Sequence, residues 1–192
     1  MHTFILELRQ DHGDIIRLLR VLWFKLRALH DDRDADYETM LRVLDFLIEL
    51  ADQFHHPRED ILFDLLRQRF DNLRDVLDEL QKQHAIIPRQ GQELRELLKA
   101  AADGQPVELE RLSRLGHDYL LAQRWHIHEE EFAVFALADR TLDEADWATI
   151  EQRAAPLLAG QRDRRRKSEA FWVELPEIGV LAGGGDRQGE CG

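Results

Sequence analysis

Residues 54–60 read Phe-His-His-Pro-Arg-Glu-Asp, and residues 125–130 read Trp-His-Ile-His-Glu-Glu. In each stretch a histidine is followed four residues later by a glutamate. The two pairs are His55 with Glu59 and His126 with Glu130. On an α-helix this spacing places both side chains on one face, one turn apart. Because an unpaired ionisable group is costly to bury, such pairs inside apolar stripes indicate a functional site.

The apolar residues around these stretches recur with the period of an α-helix, and no segment shows the alternation typical of strands. The pattern predicts long helices over about residues 3–30, 36–70, 73–102 and 108–139. Four amphipathic helices with short polar connections predict an all-α fold, an up-down-up-down four-helix bundle. His12 on the first helix and His84 on the third lie in the same kind of stripe. Alternating chain direction would bring all six residues to one level.

A fifth helix is predicted after the bundle. The stretch Thr141-Leu142-Asp143-Glu144 has the form of a capping box that would open it. We expect residues 1–140 to form the bundle and residues 141–175 to form an additional C-terminal helix that packs on it. Residues 176–192 are rich in glycine and are expected to be a flexible tail.

Composition limits the classes of function. The chain has 192 residues, with 26 Lys and Arg against 38 Asp and Glu, and a formal charge of −12. This charge argues against nucleic-acid and anionic-membrane partners, because both would be repelled. Cys191 is the single cysteine, which fits a reducing compartment. With no signal peptide and no apolar stretch long enough for a bilayer, we expect a cytoplasmic protein.

The four histidines and two glutamates are residue types that bind metals. Imidazole nitrogens suit iron, zinc, copper and nickel, and carboxylate oxygens suit harder ions or bridge two metals. The six residues divide into ligands for two metals, each metal having two histidines and a share of two bridging glutamates. The alternative is that the histidines are hydrogen-bonded core residues and the two pairs are surface ion pairs. Burial of all six without partners would be costly, so the metal interpretation is favoured.

Other residues near the site were judged separately. His56 lies about a sixth to a third of a turn from the direction of His55. We expect it outside the ligand set, with a seventh ligand or a hydrogen-bond donor as alternatives. Pro57 is expected to distort the helix at the site or to break it in two. Tyr119 and Gln123 share a face with His126, and they fit either an access pocket or a core position with a satisfied hydroxyl. The histidines expected at the surface or at a terminus are His2, His30 and His117.

The quoted residues resemble the hemerythrin-like, His-His-Glu (HHE) cation-binding domains. The residues that carry the resemblance are Asp11-His12, residues 55–63, Gln83-His84 and residues 126–130, and the resemblance covers about residues 3–140. It implies a non-haem di-iron centre, two iron ions with an oxo or hydroxo bridge. By this match the terminal ligands are His12, His55, His84 and His126, and the bridging carboxylates are Glu59 and Glu130.

One departure from the family pattern bears on function. Oxygen-carrying hemerythrins have a further histidine one turn along the third helix, where this chain has Pro88. The remaining set is similar to iron-centre repair proteins and regulatory members, which are associated with oxidative and nitrosative stress and iron handling. The resemblance thus implies a protein that senses or processes oxygen, peroxide or nitric oxide. The alternative is an iron-binding regulatory or storage module that acts through a protein partner, with a homodimer also possible. Whether the protein is an enzyme stays open.

Overall fold

The computed structural model describes residues 1–29, 35–158 and 169–173 of the chain. Within these residues the regular structure is helical and contains no strand, which confirms the all-α prediction. The α-helices are α1 (Thr3–Ala28), α2 (Tyr37–Leu50), α3 (His56–Arg69), α4 (Arg74–Ala102), α5 (Leu109–Glu129), α6 (Ala136–Thr141) and α7 (Glu144–Leu158). A π-helical turn, Ala51–His55, joins α2 to α3, and a second one, Glu130–Phe135, joins α5 to α6. A short 3₁₀ turn, Asp71–Leu73, precedes α4.

The helices are neighbours in the order expected for a bundle. Helix α1 contacts α2 and α5, and α4 contacts α2, α3 and α5. Each long segment thus packs beside the segments that precede and follow it in the chain, and the last packs beside the first. This pattern is consistent with the predicted up-down-up-down arrangement. No helix in the described ranges combines the length and apolar character needed to cross a bilayer.

The chain divides into two compact units, Met1–Ala155 and Pro156–Gly192. Of the second unit only residues 156–158 and 169–173 are described, and the latter are helical. The predicted tail at residues 176–192 therefore lies outside the described residues. The same holds for His30 and for Cys191.

The start of α7 differs from the predicted capping box. Asp143 Oδ1 accepts a hydrogen bond from the Asp146 amide at 2.9 Å, and Asp146 Oδ2 accepts one from the Asp143 amide at 3.4 Å. The reciprocal box is therefore formed by these two aspartates, not by Thr141 and Glu144. The Thr141 hydroxyl instead donates to the Leu137 carbonyl within the preceding helix, at 2.8 Å. Because Thr141 is the last residue of α6, the N-cap position of α7 falls on Asp143 instead.

Two apolar layers lie along the bundle. One contains residues from both ends of the chain, including Phe4, Leu8, Phe63, Leu66, Leu77, Phe135, Trp147 and Ile150. The buried residues on the other side include Leu19, Leu22, Leu44, Leu47, Leu94 and Leu98. His12 follows Leu8 by one turn on α1 and precedes Leu19 by about two, so a polar level lies between the two layers. Trp147 and Ile150 show that α7 covers the first layer.

Candidate metal centre

The six predicted residues meet at this polar level. His12, His55, His126, Glu59 and Glu130 are each no more than 2 % exposed. His84 comes from α4 and is also largely withdrawn from solvent, with 6 % of its side chain exposed. The structure therefore brings together the six side chains that the helical spacing placed in apolar stripes.

One half of the cluster is built by α1 and the α2–α3 segment. His55 Nε2 lies 3.0 Å from Glu59 Oε1, and His12 Nε2 lies 3.4 Å from the same oxygen. His12 Nε2 also lies 3.2 Å from Glu130 Oε2. Two imidazole nitrogens and one oxygen from each glutamate thus face a common space.

The other half is built by α4 and α5. His84 Nε2 lies 3.4 Å from Glu59 Oε2 and 3.3 Å from Glu130 Oε1. His126 Nε2 lies 3.2 Å from Glu130 Oε1. Each glutamate therefore directs one oxygen to the first half and its other oxygen to the second half. A carboxylate that divides its oxygens in this way is placed to bridge two cations.

His56 lies in the second half of the cluster, although its sequence position led us to expect it outside the ligand set. Ligand atoms of His56, Glu59, His84 and His126 all lie within 4.8 Å of one another. The His56 ring stacks on His84 with a centroid distance of 4.2 Å, whereas the His55 ring lies 4.6 Å from His12. Consecutive residues of a helix point about 100° apart. This angle directs His55 toward His12 on α1 and His56 toward His84 on α4, so both imidazoles reach the centre of the bundle.

Both His-Glu pairs adjoin a π-helical turn. His55 ends the turn Ala51–His55, and Glu130 begins the turn Glu130–Phe135. Such turns contain one extra residue and occur often at functional sites. Pro57 lies at the start of α3, directly after the first turn, which accords with the predicted distortion. The helical path continues through it, so it does not separate the segment into two independent helices.

Behind the four histidines lie acceptor groups that the sequence did not reveal, and the outward-facing nitrogens of His12, His84 and His126 hydrogen-bond to theirs. His12 Nδ1 lies 3.0 Å from Glu131 Oε1, and His84 Nδ1 lies 3.0 Å from Asp60 Oδ1. The two remaining contacts are His126 Nδ1 to Gln83 Oε1 at 3.0 Å and His55 Nδ1 to Asp11 Oδ2 at 3.5 Å. Metal-bound histidines usually donate a hydrogen bond from their second ring nitrogen to such an acceptor.

A buried arginine supports one of these acceptors. Arg58 is 1 % exposed and donates from Nη1 to Asp11 Oδ2 at 3.2 Å. Its guanidinium also lies over the Phe4 ring, 5.7 Å from the centroid. The arginine thus offsets the negative charge of Asp11 behind His55. Arg58 was part of the decisive sequence stretch, but its position gave no sign that it would be buried.

Several inward-facing atoms have no hydrogen-bond partner although they are buried. They are Nε2 of His12, His55 and His126, both carboxylate oxygens of Glu59, and Oε2 of Glu130. Buried polar atoms are normally paired, so a group of them directed at one space indicates a missing binding partner. Imidazole nitrogens with carboxylate oxygens are ligands that iron and similar divalent metals accept. The residues present therefore fit a metal centre.

The electrostatics of the metal-free cluster agree with this interpretation for the two carboxylates. Burial opposes the charged form of Glu59, but His55, His12 and His84 outweigh it and hold its pKa well below the usual value. For Glu130, burial and the charge of Glu59 act to raise the pKa, and the neighbouring histidines nevertheless lower it. Both glutamates therefore remain carboxylates, the form that binds cations.

The histidines differ in the direction of their pKa shifts. Burial acts to lower the pKa of His84, but the hydrogen bonds to Asp60 and Glu130 and the nearby carboxylate of Glu59 outweigh it and raise that pKa to about 11. The pKa values of His12 and His55 are raised against the effect of burial by nearby carboxylates. Burial lowers the pKa of His56 well below its usual value, and the charge of His84 lowers it further. His56 is thus held neutral, which is the state that binds a metal.

Tyr119 and Gln123 occupy core positions. Gln123 Nε2 donates to the Tyr119 hydroxyl at 3.1 Å, and both side chains are buried. The surface cavity beside the cluster, of ≈ 380 Å³, is lined by other residues of α4 and α5. Its lining is Gln83, Ile86, Ile87, Gln90, Ala122, Trp125 and Glu129. Of the two alternatives for Tyr119, the core position is the one observed.

The remaining histidines lie away from the cluster. His2 caps α1 by accepting a hydrogen bond from the Phe4 amide at 3.3 Å, and its ring stacks on Trp147 at 4.2 Å. His117 has 64 % of its side chain exposed, as expected for a surface residue. His128 is exposed and contacts the rings of Trp125 and Phe132.

Fold and cluster together define a helical-bundle protein with a buried cluster of His and Glu residues suited to a metal. The model of the hemerythrin HHE cation-binding domain matches residues 3–138 of the chain. The chain therefore belongs to the hemerythrin HHE family, whose domains bind metal ions, typically iron. A search of curated protein sequences gave no significant match.

Proposed function

We propose that the protein holds two iron ions in a non-haem di-iron centre and senses or processes oxygen, peroxide or nitric oxide. One ion would be bound by His12 and His55, and the other by His84 and His126 with His56 as an additional ligand. Glu59 and Glu130 would bridge the two ions. This extends the set predicted from sequence by one histidine.

The proposal rests on the way in which each of the two carboxylates directs its two oxygens to opposite halves of the cluster. Oε1 of Glu59 faces His12 and His55, and Oε2 faces His84. Oε2 of Glu130 faces His12, and Oε1 faces His84 and His126. A site for a single metal has no need of two carboxylates whose oxygens point to opposite halves. Two bridging glutamates also neutralise much of the charge of a metal pair, which histidines alone would not do.

When bound, a di-iron centre supplies redox chemistry and open positions for a small exogenous ligand. The protein residues have separate tasks. His12, His55, His84 and His126 direct Nε2 into the common space and would bind the metals through it, and Glu59 and Glu130 would each contribute an oxygen to both binding positions. The apolar layers on both sides exclude bulk water, which strengthens the electrostatic interactions inside the centre.

The proposal is tested by purifying the protein aerobically and measuring its metal content and optical spectrum. We expect about two irons per chain and an absorption typical of an oxo or hydroxo bridge. We also expect this absorption to change when hydrogen peroxide or nitric oxide is added. Zinc in place of iron, or no metal at all, would contradict the proposal.

The bridging assignment is tested separately with Glu59→Ala and Glu130→Ala. Each variant removes both oxygens that one residue directs to the two halves, so each is expected to lose iron from both positions. The exposed Glu79→Ala, on α4, is the matched control and should retain the iron content of the unmodified protein. A Glu59→Ala or Glu130→Ala variant that kept two irons would refute the bridging role.

The second candidate function is an iron-binding regulatory or storage module that acts through a protein partner. Iron that leaves readily, with no spectral response to peroxide or nitric oxide, would favour it over the first.

A further inference from the structure

The four acceptors behind the histidines are arranged in a closed ring. Asp11 on α1 contacts His55, which ends the turn before α3, and Asp60 on α3 contacts His84 on α4. Continuing around the bundle, Gln83 on α4 contacts His126 on α5, and Glu131 in the turn after α5 contacts His12 on α1. Each contact joins two adjacent helical segments, and the fourth returns to the first. We call these four residues, Asp11, Asp60, Gln83 and Glu131, the acceptor ring.

The sequence positions of the ring members show how one turn of helix supplies both a candidate ligand and an acceptor. Each ring member directly precedes or follows a candidate ligand on its own helix, as in Asp11-His12 and Glu130-Glu131. Because neighbouring residues point about 100° apart, one side chain enters the centre while the other meets the histidine of the adjacent helix. Each of the four histidines is therefore contacted by an acceptor from an adjacent helical segment.

We propose that Asp11, Asp60, Gln83 and Glu131 are positioning residues that orient the histidines of the metal centre and tune their electron donation. The inference rests on the proposed metal-binding function. An acceptor at Nδ1 requires that this nitrogen carries the hydrogen, which leaves the Nε2 lone pair for the metal. Because the acceptors come from adjacent helices, the four imidazoles are in place only when the helices are docked together.

Gln83 makes the ring asymmetric. The other three members are aspartate or glutamate residues, whereas Gln83 offers a neutral amide oxygen. A charged acceptor polarises the imidazole and makes it a stronger donor, so His126 is the weakest donor of the four. Gln83 is also the only ring member among the residues that line the described cavity between α4 and α5. The metal position served by His126 is therefore the one that a change at Gln83 would affect.

The test compares charge-changing variants of the ring with matched surface variants. Asp60→Asn and Glu131→Gln keep size and an acceptor oxygen but remove the charge, and Gln83→Glu adds one. The matched controls are Asp64→Asn on α3 and Gln92→Glu on α4, both at exposed or half-exposed positions away from the cluster. The measurements are anaerobic competition for Fe²⁺ against a chelator and a spectroelectrochemical titration of the iron-loaded protein.

We expect Asp60→Asn and Glu131→Gln to bind Fe²⁺ roughly 10- to 100-fold more weakly than the unmodified protein, as is usual when a group that hydrogen-bonds a metal-bound histidine is changed. Their midpoint potentials should rise, since weaker donation disfavours the ferric state. Gln83→Glu should lower the potential, a change of opposite sign that a purely structural role would not produce. Controls should match the unmodified protein in both measurements.

The outcomes separate this inference from the function on which it rests. Unmodified protein that takes up no Fe²⁺ would overturn both proposals. Unmodified protein that binds two Fe²⁺, with ring variants equal to their controls or shifted all in one direction, would overturn the acceptor ring alone. If circular dichroism shows that the charge-removing variants do not fold, the sign of the shift in Gln83→Glu decides the question.

Discussion

His56 is the residue whose position most changes the description of the centre. It is 5 % exposed and stacks on His84, and one of its ring nitrogens lies within 4.8 Å of ligand atoms of Glu59 and His126. We predict that His56→Ala weakens metal binding at the His84–His126 position by roughly 10-fold or more, as loss of a ligand or of its immediate support should. The ion at the His12–His55 position should remain.

The measurement is a stoichiometric titration with Fe²⁺ under anaerobic conditions, followed by metal analysis after gel filtration. His128→Ala, at an exposed position on the same helix as His126, is the control and should bind as the unmodified protein does. If His56→Ala retained both ions with unchanged affinity, His56 would lie outside the ligand set, as its sequence position alone first indicated.

At the scale of residues, helical spacing located the six candidate ligands but not their partners. The spacing rule reports which side chains share a face of one helix, and His55 and Glu59 satisfy it. The acceptors Asp60 and Glu131 act on histidines of other helices, so no local pattern distinguishes them from ordinary surface acids. His56 could be assigned only once two helices were known to flank it. Arg58 is buried for the same kind of reason, because Asp11 comes from another helix.

Among the secondary-structure elements, the π-helical turn Ala51–His55 contains one residue more than a regular helix of the same length would need. The extra residue is taken up within the turn, so deleting one residue from it would restore a regular helix in which His55 and Glu59 keep nearly the same direction relative to α2. We predict that deletion of Gln53, an exposed position within the turn, leaves the protein helical and retains most of its iron. The substitution Gln53→Ala retains the extra residue and should leave the iron content unchanged.

These two variants are compared by circular dichroism and metal analysis. Loss of iron in the deletion but not in Gln53→Ala would contradict the prediction, because it would show that the extra residue of the turn places the ligands. A loss of iron in both would indicate a role for the Gln53 side chain itself, contrary to the prediction.

Two glycines in helices differ in what surrounds them, and they test the packing of α5. A Cβ added at Gly13 on α1 would meet nothing within 4 Å, whereas one added at Gly116 on α5 would lie 2.6 Å from Leu26 Cδ1. Alanine is favoured over glycine inside helices by roughly 0.5–1 kcal/mol. Gly13→Ala should therefore stabilise the metal-free protein by about that amount.

In Gly116→Ala the same gain is opposed by the displacement of Leu26, so we predict that it is about 1 kcal/mol less stable than Gly13→Ala. Urea unfolding of the two metal-free variants, followed by circular dichroism, measures the difference. Equal stabilisation by the two substitutions would show that Leu26 moves aside without cost.

The sequence predicted which segments are helical better than it predicted where each helix begins and ends. Apolar periodicity reports long helices reliably, since each presents a continuous stripe to the core. Pro57 signalled a distortion near His55, but the second π-helical turn at Glu130 has no proline to mark it. The start of α7 was misplaced because Thr141 and Asp143 are both good capping residues, and only the bonding of Thr141 to Leu137 distinguishes them.

Over the whole molecule, a buried polar level lies between two apolar layers and is linked from helix to helix. The apolar layers follow from the amphipathic pattern and would form in many helical bundles. The polar level is costly without a metal, because carboxylates and histidines must then be satisfied by one another. A metal pair would replace the protons that the histidines hold in its absence, so binding should be coupled to both stability and pH.

The stability of the metal-free protein should therefore pass through a maximum as pH is varied. The pKa of His84 is raised from 6.5 to about 11, and those of His12 and His55 are raised in the same direction. Groups of this kind stabilise the folded state fully below their unfolded pKa and lose that effect as pH rises. The pKa values of Glu59 and Glu130 are lowered from 4.5, so their contribution is present above that pH and lost in acid. We predict a maximum between about pH 4.5 and pH 7, with declining stability on the alkaline side.

Urea midpoints of the metal-free protein between about pH 5 and pH 9.5 measure this dependence. His84→Gln should show a smaller decline above pH 7, since one of the groups that bind extra protons in the folded state is removed. In the Fe²⁺-loaded protein, kept anaerobic, the added stability due to the metal should increase with pH, because fewer protons compete for the histidines. A metal-free midpoint that rose steadily between pH 7 and pH 9.5 would show that the histidines do not hold their protons as the nearby carboxylates of Glu59, Asp60 and Glu130 imply.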